Sequence, residues 1–305
     1  MSQTNTPSSL PWYYRPLFWL LTGVASLPLT VLYALAYGLY LLLAYGVRYR
    51  WKVISGNLRN AFPEKSEAEV TRLGKDFYWH FAQVIVEILK LLTISKAELY
   101  ERAKIRNFEL AEKAMELGHT VLVLGSHAGN WEWILSTGAL YYPDRAHGVY
   151  KPLSNGFFEY FMKRLRTRSG AYLVPMRDTL RDMVRYRNQA RCLALLTDQA
   201  AGPEDQPYWT DFLHQDTGFY TSADRLAPRF QCPVVYVGIR RVRRGYYDIT
   251  LTEIYDGITP ISDKEHFITE AFARQLERDI QAAPAEYLWS HRRWKHKRVT
   301  ERLSD

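Results

Sequence analysis

Residues 120–132 read TVLVLGSHAGNWE. The first part, TVLVLGS, is a short apolar run closed by turn-forming residues, which is the pattern of a buried strand. The second part, GSHAGNWE, is small and polar and opens into a helical stretch at 131–140. Outward from this point the same kind of run recurs as AHGVY (146–150), AYLVP (171–175), RCLALLT (191–197), PVVYVGI (233–239) and YDITLTE (247–253). Helical stretches at 155–168, 178–188 and 220–230 lie between several of them. Strand–helix alternation of this kind predicts an α/β fold with a mainly parallel, buried central sheet flanked by helices.

On the N-terminal side, Val70, Leu73, Phe77, Phe81, Val84, Ile88 and Leu91 recur at three- and four-residue steps, so 66–93 reads as a helix. NLRNAFP (57–63) reads as a helix end and a turn, and 108–117 as a short helix closed by Gly118. On the C-terminal side an amphipathic helix runs over 265–282 through Phe267, Ile268, Phe272, Leu276 and Ile280, and Pro284 stops it.

Residues 16–47 carry no charged side chain. As one helix they would run roughly 48 Å, more than the roughly 30 Å of a hydrocarbon core. Pro28 divides the stretch, leaving LTVLYALAYGLYLLLAYGV (29–47) as a single span. Trp12, Tyr13, Tyr14 and Trp19 read as an interfacial aromatic belt, and Arg48, Arg50 and Lys52 follow the span where only Arg15 precedes it. The charge bias places everything after residue 47 in the cytoplasm. The expected organisation is a membrane anchor over 1–50 and a catalytic domain over 51–305. A secretory signal peptide is the competing reading, weakened by the length of the apolar run and the thin positive charge ahead of it.

The 305 residues carry a net charge of +8, which points to an acidic partner such as anionic lipid, phosphorylated ligand or acidic protein. No nucleic-acid motif accompanies that charge, so nucleic acid is not an expected partner. Cys192 and Cys232 sit in strand-like runs without ligand spacing and read as reduced core residues. The other histidines are scattered, so neither a metal site nor a cofactor is expected.

The chemistry concentrates at the tip of the first quoted strand, where ligands gather in open α/β sheets. Gly125, Ser126, Ala128 and Gly129 let a substrate approach the backbone, and Asn130 reads as the helix N-cap. His127 and Glu132 are five residues apart, about 500° on a regular helix. With His127 in the turn ahead of the cap, Glu132 could reach back to the ring, giving a base and its orienter. The bland alternative is a capped turn with an incidental histidine.

An H-x4-D/E pair around a small, Gly-containing interior resembles the signature of the glycerolipid acyltransferases. HAGNWE (127–132), KRLRTRSG (163–170), LTDQAAGP (196–203), LAPRFQCPVVYVGIRR (226–241) and EYLWSHRRWK (286–295) resemble the branch comprising the late lauroyl/myristoyl acyltransferases of lipid A. The chain departs from that pattern at Ala200, where a second acid is usual, and at Ser222, which stands at a Gly position.

The resemblance implies acyl transfer from acyl carrier protein to a hydroxyl of a lipid A precursor at the inner membrane, with lipids of that membrane as further partners. It implies His127 as general base and Glu132 as its orienter. The tetrahedral intermediate needs an oxyanion partner, expected in Arg164 with Arg166 in reserve. Arg164 on a solvated helix face is the equal alternative. Asp198 reads as orienting Arg164 or an acceptor group, or as a structural cap. Gly129, Asn130, Arg166, Arg292, Arg293 and Lys295 form the expected substrate-binding set. The basic runs RRVRR (240–244) and HRRWKHKR (291–298) could hold acceptor phosphates, anionic lipid or the carrier protein. Rival readings are the same fold acting on another glycolipid or phospholipid, and a basic non-catalytic membrane or nucleic-acid-binding protein.

Overall fold

The computed structural model describes residues 10–261 and 265–298; the outermost parts of both expected regions, 1–9 and 299–305, lie outside the described residues. The chain begins with α1 (Arg15–Ser26), α2 (Leu29–Leu41, continued by a π-helical turn over Leu42–Gly46), α3 (Trp51–Ala61) and α4 (Glu67–Lys90). Next come α5 (Lys96–Arg102), β1 (Ala103–Arg106), α6 (Glu109–Glu116), β2 (Thr120–Gly125), α7 (Trp131–Tyr141), β3 (Ala146–Tyr150) and α8 (Gly156–Thr167). Then follow β4 (Tyr172–Pro175), α9 (Thr179–Arg185), β5 (Arg191–Leu196), β6 (Tyr208–Phe212) and β7 (Gln215–Phe219). The chain closes with α10 (Ser222–Phe230), β8 (Val234–Arg243), β9 (Tyr246–Tyr255) and α11 (Phe267–Ala282).

Seven strands form one sheet in the order β1-β9-β8-β2-β5-β3-β4. All neighbours are parallel except β8 and β9, an antiparallel hairpin, so the sheet is mainly parallel as the alternation predicts. Every residue of central β2 is buried, which explains its unbroken apolar character. Two large core clusters cover the two faces. One contains Leu122, Leu124, Phe77, Phe272 and Trp289; the other contains Val121, Val123, Trp133, Val235 and Ile249. Two elements escaped the pattern: β1, only four residues long, and the β6–β7 hairpin, which pairs outside the main sheet.

The ends of α4 and α8 are set by local chemistry. Ser66 and Glu69 form a reciprocal capping box at the start of α4, and Asn155 accepts from the Phe158 N–H at the start of α8. Pro28 does separate two helices, but α1 and α2 are packed along one face against the rest of the chain. Ala25 is fully buried in the same cluster as β2 and α7, and Leu32, Tyr33 and Ala36 pack on Ala82 and Val86 of α4. Leu29–Gly46 is nonetheless long and apolar enough, by length and composition, to cross a membrane.

Candidate active site

The tips of two adjacent strands meet at His127. β2 and β5 pair from Thr120↔Arg191 to Gly125↔Leu196, so the residues that follow each strand emerge side by side. A Cβ on Gly125 would lie 2.9 Å from Val237 and 3.0 Å from Leu196, so the strand end admits no larger residue without displacement. Gly129 has φ +54°, and its N–H donates to the Glu286 carbonyl at 2.9 Å; the Leu288 N–H donates to the His127 carbonyl at 3.1 Å. The turn carrying His127 is thereby strapped to the segment 286–288.

Asp198, just past β5, holds the imidazole. Its Oδ1 is 2.7 Å from His127 Nδ1, and its Oδ2 accepts from the His127 backbone N–H at 3.0 Å. A fully ionised carboxylate next to Nδ1 fixes the tautomer with the proton on Nδ1 and leaves Nε2 as an acceptor. The Gln199 side-chain amide, 3.3 Å from Nε2, is placed to donate to it. Burial opposes a charge on the ring, but Asp198, by charge and hydrogen bond, and then Glu132, by charge, outweigh it and raise the pKa of His127. Burial would likewise raise the pKa of Asp198, yet the ring and the His127 backbone N–H hold it below the usual carboxylate range.

Glu132 was expected on the ring and is found elsewhere. Its carboxylate makes a two-point pair with Arg166: Arg166 Nε donates to Oε2 at 2.8 Å and Nη2 to Oε1 at 2.6 Å. Glu132 sits in the first turn of α7, where the Arg166 guanidinium of α8 takes both of its oxygens. Burial pushes the Glu132 carboxyl up, but the guanidinium holds it below its ordinary value. The carboxylate bonded to the imidazole is therefore that of Asp198, with Glu132 acting on the ring through its charge.

Arg164 and Arg166 are two residues apart on α8 and face opposite ways. Arg166 is turned inward onto Glu132, whereas Arg164 is exposed. Asn130 holds the N-cap position of α7 but makes no capping hydrogen bond; its amide donates instead to Glu87 Oε2 at 2.9 Å and is fully buried. Arg164 thus follows the solvated-face alternative, and Asn130 departs from expectation. At Asn130 a tertiary partner overrides the local rule.

The basic tail splits as well. Arg292 and Lys295 are exposed, and Arg293 is buried at 3 % exposure over the Phe219 ring, 4.5 Å from its centroid. Tyr287 is buried beside them, and the Arg293 charge helps to hold Asp198 below the usual carboxylate range, so Arg293 backs the carboxylate rather than facing solvent.

Three further residues complete the site. Gln199 covers Nε2 of His127, Trp131 lies with its ring 5.5 Å from the imidazole, and His291 Nε2 accepts from the Ala200 N–H at 3.3 Å. Burial pushes the His291 ring down to about 4, so it stays neutral and keeps that lone pair. Gln199 and His291 stand inside LTDQ and WSHRRW, where adjacency to Asp198 and to the basic run concealed them. Among the described residues no group of His, Cys, Asp or Glu is arranged to hold a metal ion.

An imidazole with one nitrogen bound to a buried carboxylate and the other open as an acceptor is equipped to remove a proton from a hydroxyl. Comparison with known proteins places the chain in a family. The model of the bacterial lipid A biosynthesis acyltransferases matches residues 8–296. The chain is 24 % identical over 302 residues to the lipid A biosynthesis lauroyltransferase of Escherichia coli (strain K12), covering 96 % of each chain. It is 23 % identical over 296 residues to the lipid A biosynthesis palmitoleoyltransferase of the same organism and to a lipid A biosynthesis acyltransferase of Shigella flexneri, covering 96 % of this chain and 93 % of each relative. The chain belongs to the bacterial lipid A biosynthesis acyltransferase family.

Proposed function

We propose that this chain transfers a fatty acyl group from the thioester of an acyl carrier protein to a hydroxyl of a lipid A precursor, at the cytoplasmic face of the inner membrane. The observation that carries the reading is the Asp198–His127 pair at 2.7 Å with Nε2 turned to an acceptor role. The acceptor hydroxyl takes the place of the Gln199 amide at Nε2. His127 removes its proton as the oxygen attacks the thioester carbonyl carbon. The tetrahedral intermediate collapses with cleavage of the carbon–sulfur bond, and the imidazolium returns its proton to the departing carrier thiolate. Asp198 steadies the imidazolium throughout, which a positioned base translates into roughly 10²–10⁴ in rate.

Arg166 is the residue we assign to the oxyanion, in place of the exposed Arg164. Its Nε and Nη2 are committed to Glu132, which leaves Nη1 for a developing negative charge. One such donor is worth on the order of 10²–10³ in turnover. Glu132 fixes the guanidinium plane and adds to the basicity of His127. Neither cysteine is suited to carry the acyl group, because both are buried and burial pushes each thiol up to about 12.

The test is His127→Ala, assayed with acyl carrier protein thioester and lipid A precursor. Turnover falls by roughly 10²–10⁴ while the chain remains folded and is recovered in the membrane fraction; some thermal stability is lost because Asp198 is left without its ring partner. Transfer at the native rate in this variant removes the base mechanism. Transfer to a different lipid acceptor with the precursor untouched removes the acceptor assignment alone.

A further inference from the structure

By length α2 fits a membrane span, but its packing does not. It lies antiparallel along α4 for its whole length. At its start, Lys90 Nζ donates to the Ala25 and Leu27 carbonyls at 3.1 and 2.9 Å, and Arg244 sits over the Tyr33 ring at 4.7 Å. One turn on, the Tyr33 hydroxyl donates to Glu87 Oε1 at 2.9 Å. In the middle, Tyr37 and Tyr40 pack on Trp79. At its end, Lys75 Nζ is 5.2 Å from the Tyr45 ring, and the Tyr78 hydroxyl donates to the Tyr49 carbonyl at 2.7 Å. Lys75 and Lys90 are fifteen positions apart on one helix, roughly 22 Å.

A spanning helix has its ends in two different aqueous phases. Here both ends rest on charged residues of α4, and α4 belongs to the sheet domain, since the Tyr247 hydroxyl of β9 donates to its Glu87 at 2.6 Å. If α2 crossed a bilayer, α4 and the sheet edge would have to enter the hydrocarbon with it. Desolvating those charges makes that placement untenable. The helix ahead of it, α1, is 12 residues long, about 18 Å, and too short to cross by itself.

The opposite face of this helix pair is apolar and open. Of 26 large hydrophobic side chains that are strongly exposed among the described residues, 14 lie between Trp12 and Tyr49, including Leu17, Trp19, Leu20, Val31, Leu35 and Leu41. Arg15 stands at one end of that uncharged surface and Arg48, Arg50 and Lys52 at the other. Exposed Leu, Trp and Tyr side chains between cationic ends match one leaflet and its anionic headgroups.

We propose that α1 and α2, joined at the Pro28 break and each packed on the rest of the chain, lie together in one leaflet, so that the chain is seated on the membrane from one side and does not cross it. This rests on the membrane attachment proposed above and replaces the single-pass arrangement expected from sequence. Both the segment before α1 and the segment after α2 then face the same compartment as the sheet domain.

The test uses single-cysteine forms of the full chain, Ser2→Cys and Lys52→Cys, on a background in which the buried Cys192 and Cys232 are replaced by alanine and activity is retained. A membrane-impermeant thiol reagent is applied to right-side-out and to inverted inner-membrane vesicles. The expected result is that both positions react in inverted vesicles and neither in right-side-out ones. Reaction of Ser2→Cys in right-side-out vesicles, with Lys52→Cys reacting only in inverted ones, overturns the proposal and restores the span. Reaction of both from the outside supports the one-sided seat and refutes the cytoplasmic placement. Recovery of the chain wholly in the soluble fraction refutes membrane attachment and the seat with it.

Discussion

Two carboxylates are buried on opposite sides of α7, and their surroundings drive them in opposite directions. Glu132 faces Arg166 and is held ionised by the guanidinium. Glu87, fully buried, takes its side-chain hydrogen bonds from neutral donors, the hydroxyls of Tyr33 and Tyr247 and the amide of Asn130, with a smaller pull from the Arg241 charge. Burial raises its pKa against the pull of those hydrogen bonds. The ion-paired carboxylate lies within electrostatic reach of the imidazole, and the neutral cluster lies beneath the turn that carries it. A charge kept in a low-dielectric site can act on a reacting centre. A carboxyl that protonates with little penalty serves as a multipoint hydrogen-bond hub.

If this division holds, variants on the two sides separate into losses of rate and losses of stability. The largest effect on rate after His127 itself is expected at Asp198→Asn. An amide can donate to Nδ1 and reverse the tautomer, so turnover falls by roughly 10²–10⁴. Because Asp198 holds the ring pKa up, its removal moves the rising limb of the pH–rate profile to lower pH. A limb that stays put, or moves to higher pH, breaks the assignment.

Arg166→Lys comes next. The ammonium preserves charge but not the two-point geometry, and turnover is expected to drop on the order of 10²–10³. Arg166→Met goes further by leaving Glu132 unpaired, and thermal unfolding should report a loss of about 3–5 kcal/mol.

On the other side, Glu87→Ala orphans three buried donors and is expected to cost about 3 kcal/mol of stability or more, while the folded fraction retains its pH profile. A shifted profile in that variant would merge the two clusters into one functional unit. The smallest effect sharpens the contrast within α8: Arg164→Ala should leave turnover and melting temperature unchanged, since its side chain is exposed.

Most of this architecture is legible from periodicity. The six strand-like runs of the sequence correspond to β2–β5, β8 and β9: central β2 is buried on both faces and continuously apolar, whereas β9 alternates buried and exposed residues. β1 is not legible, since four residues reading AKIR carry no apolar run of their own and pair only at the sheet edge. The site was half legible. His127 stands out by its small neighbours, but its partner Asp198 is 71 residues away and only the β2–β5 pairing brings them together. The same holds for Arg166 and Glu132, 34 apart and joined across two helices. Asn130 shows the limit of capping rules: Glu87 offers its amide a buried carboxylate that the helix end cannot match.

The Tyr33–Glu87 bond has a practical consequence. Trimming the greasy N-terminus, the usual route to a detergent-free enzyme, would remove the tyrosine that satisfies one oxygen of a fully enclosed carboxyl group and strip Leu32 and Ala36 from Ala82 and Val86. The loop that bears His127 leans on that same carboxyl through Asn130. A shortened protein would lose part of the packing under the His127 loop, and the whole chain is the form in which its chemistry should be measured.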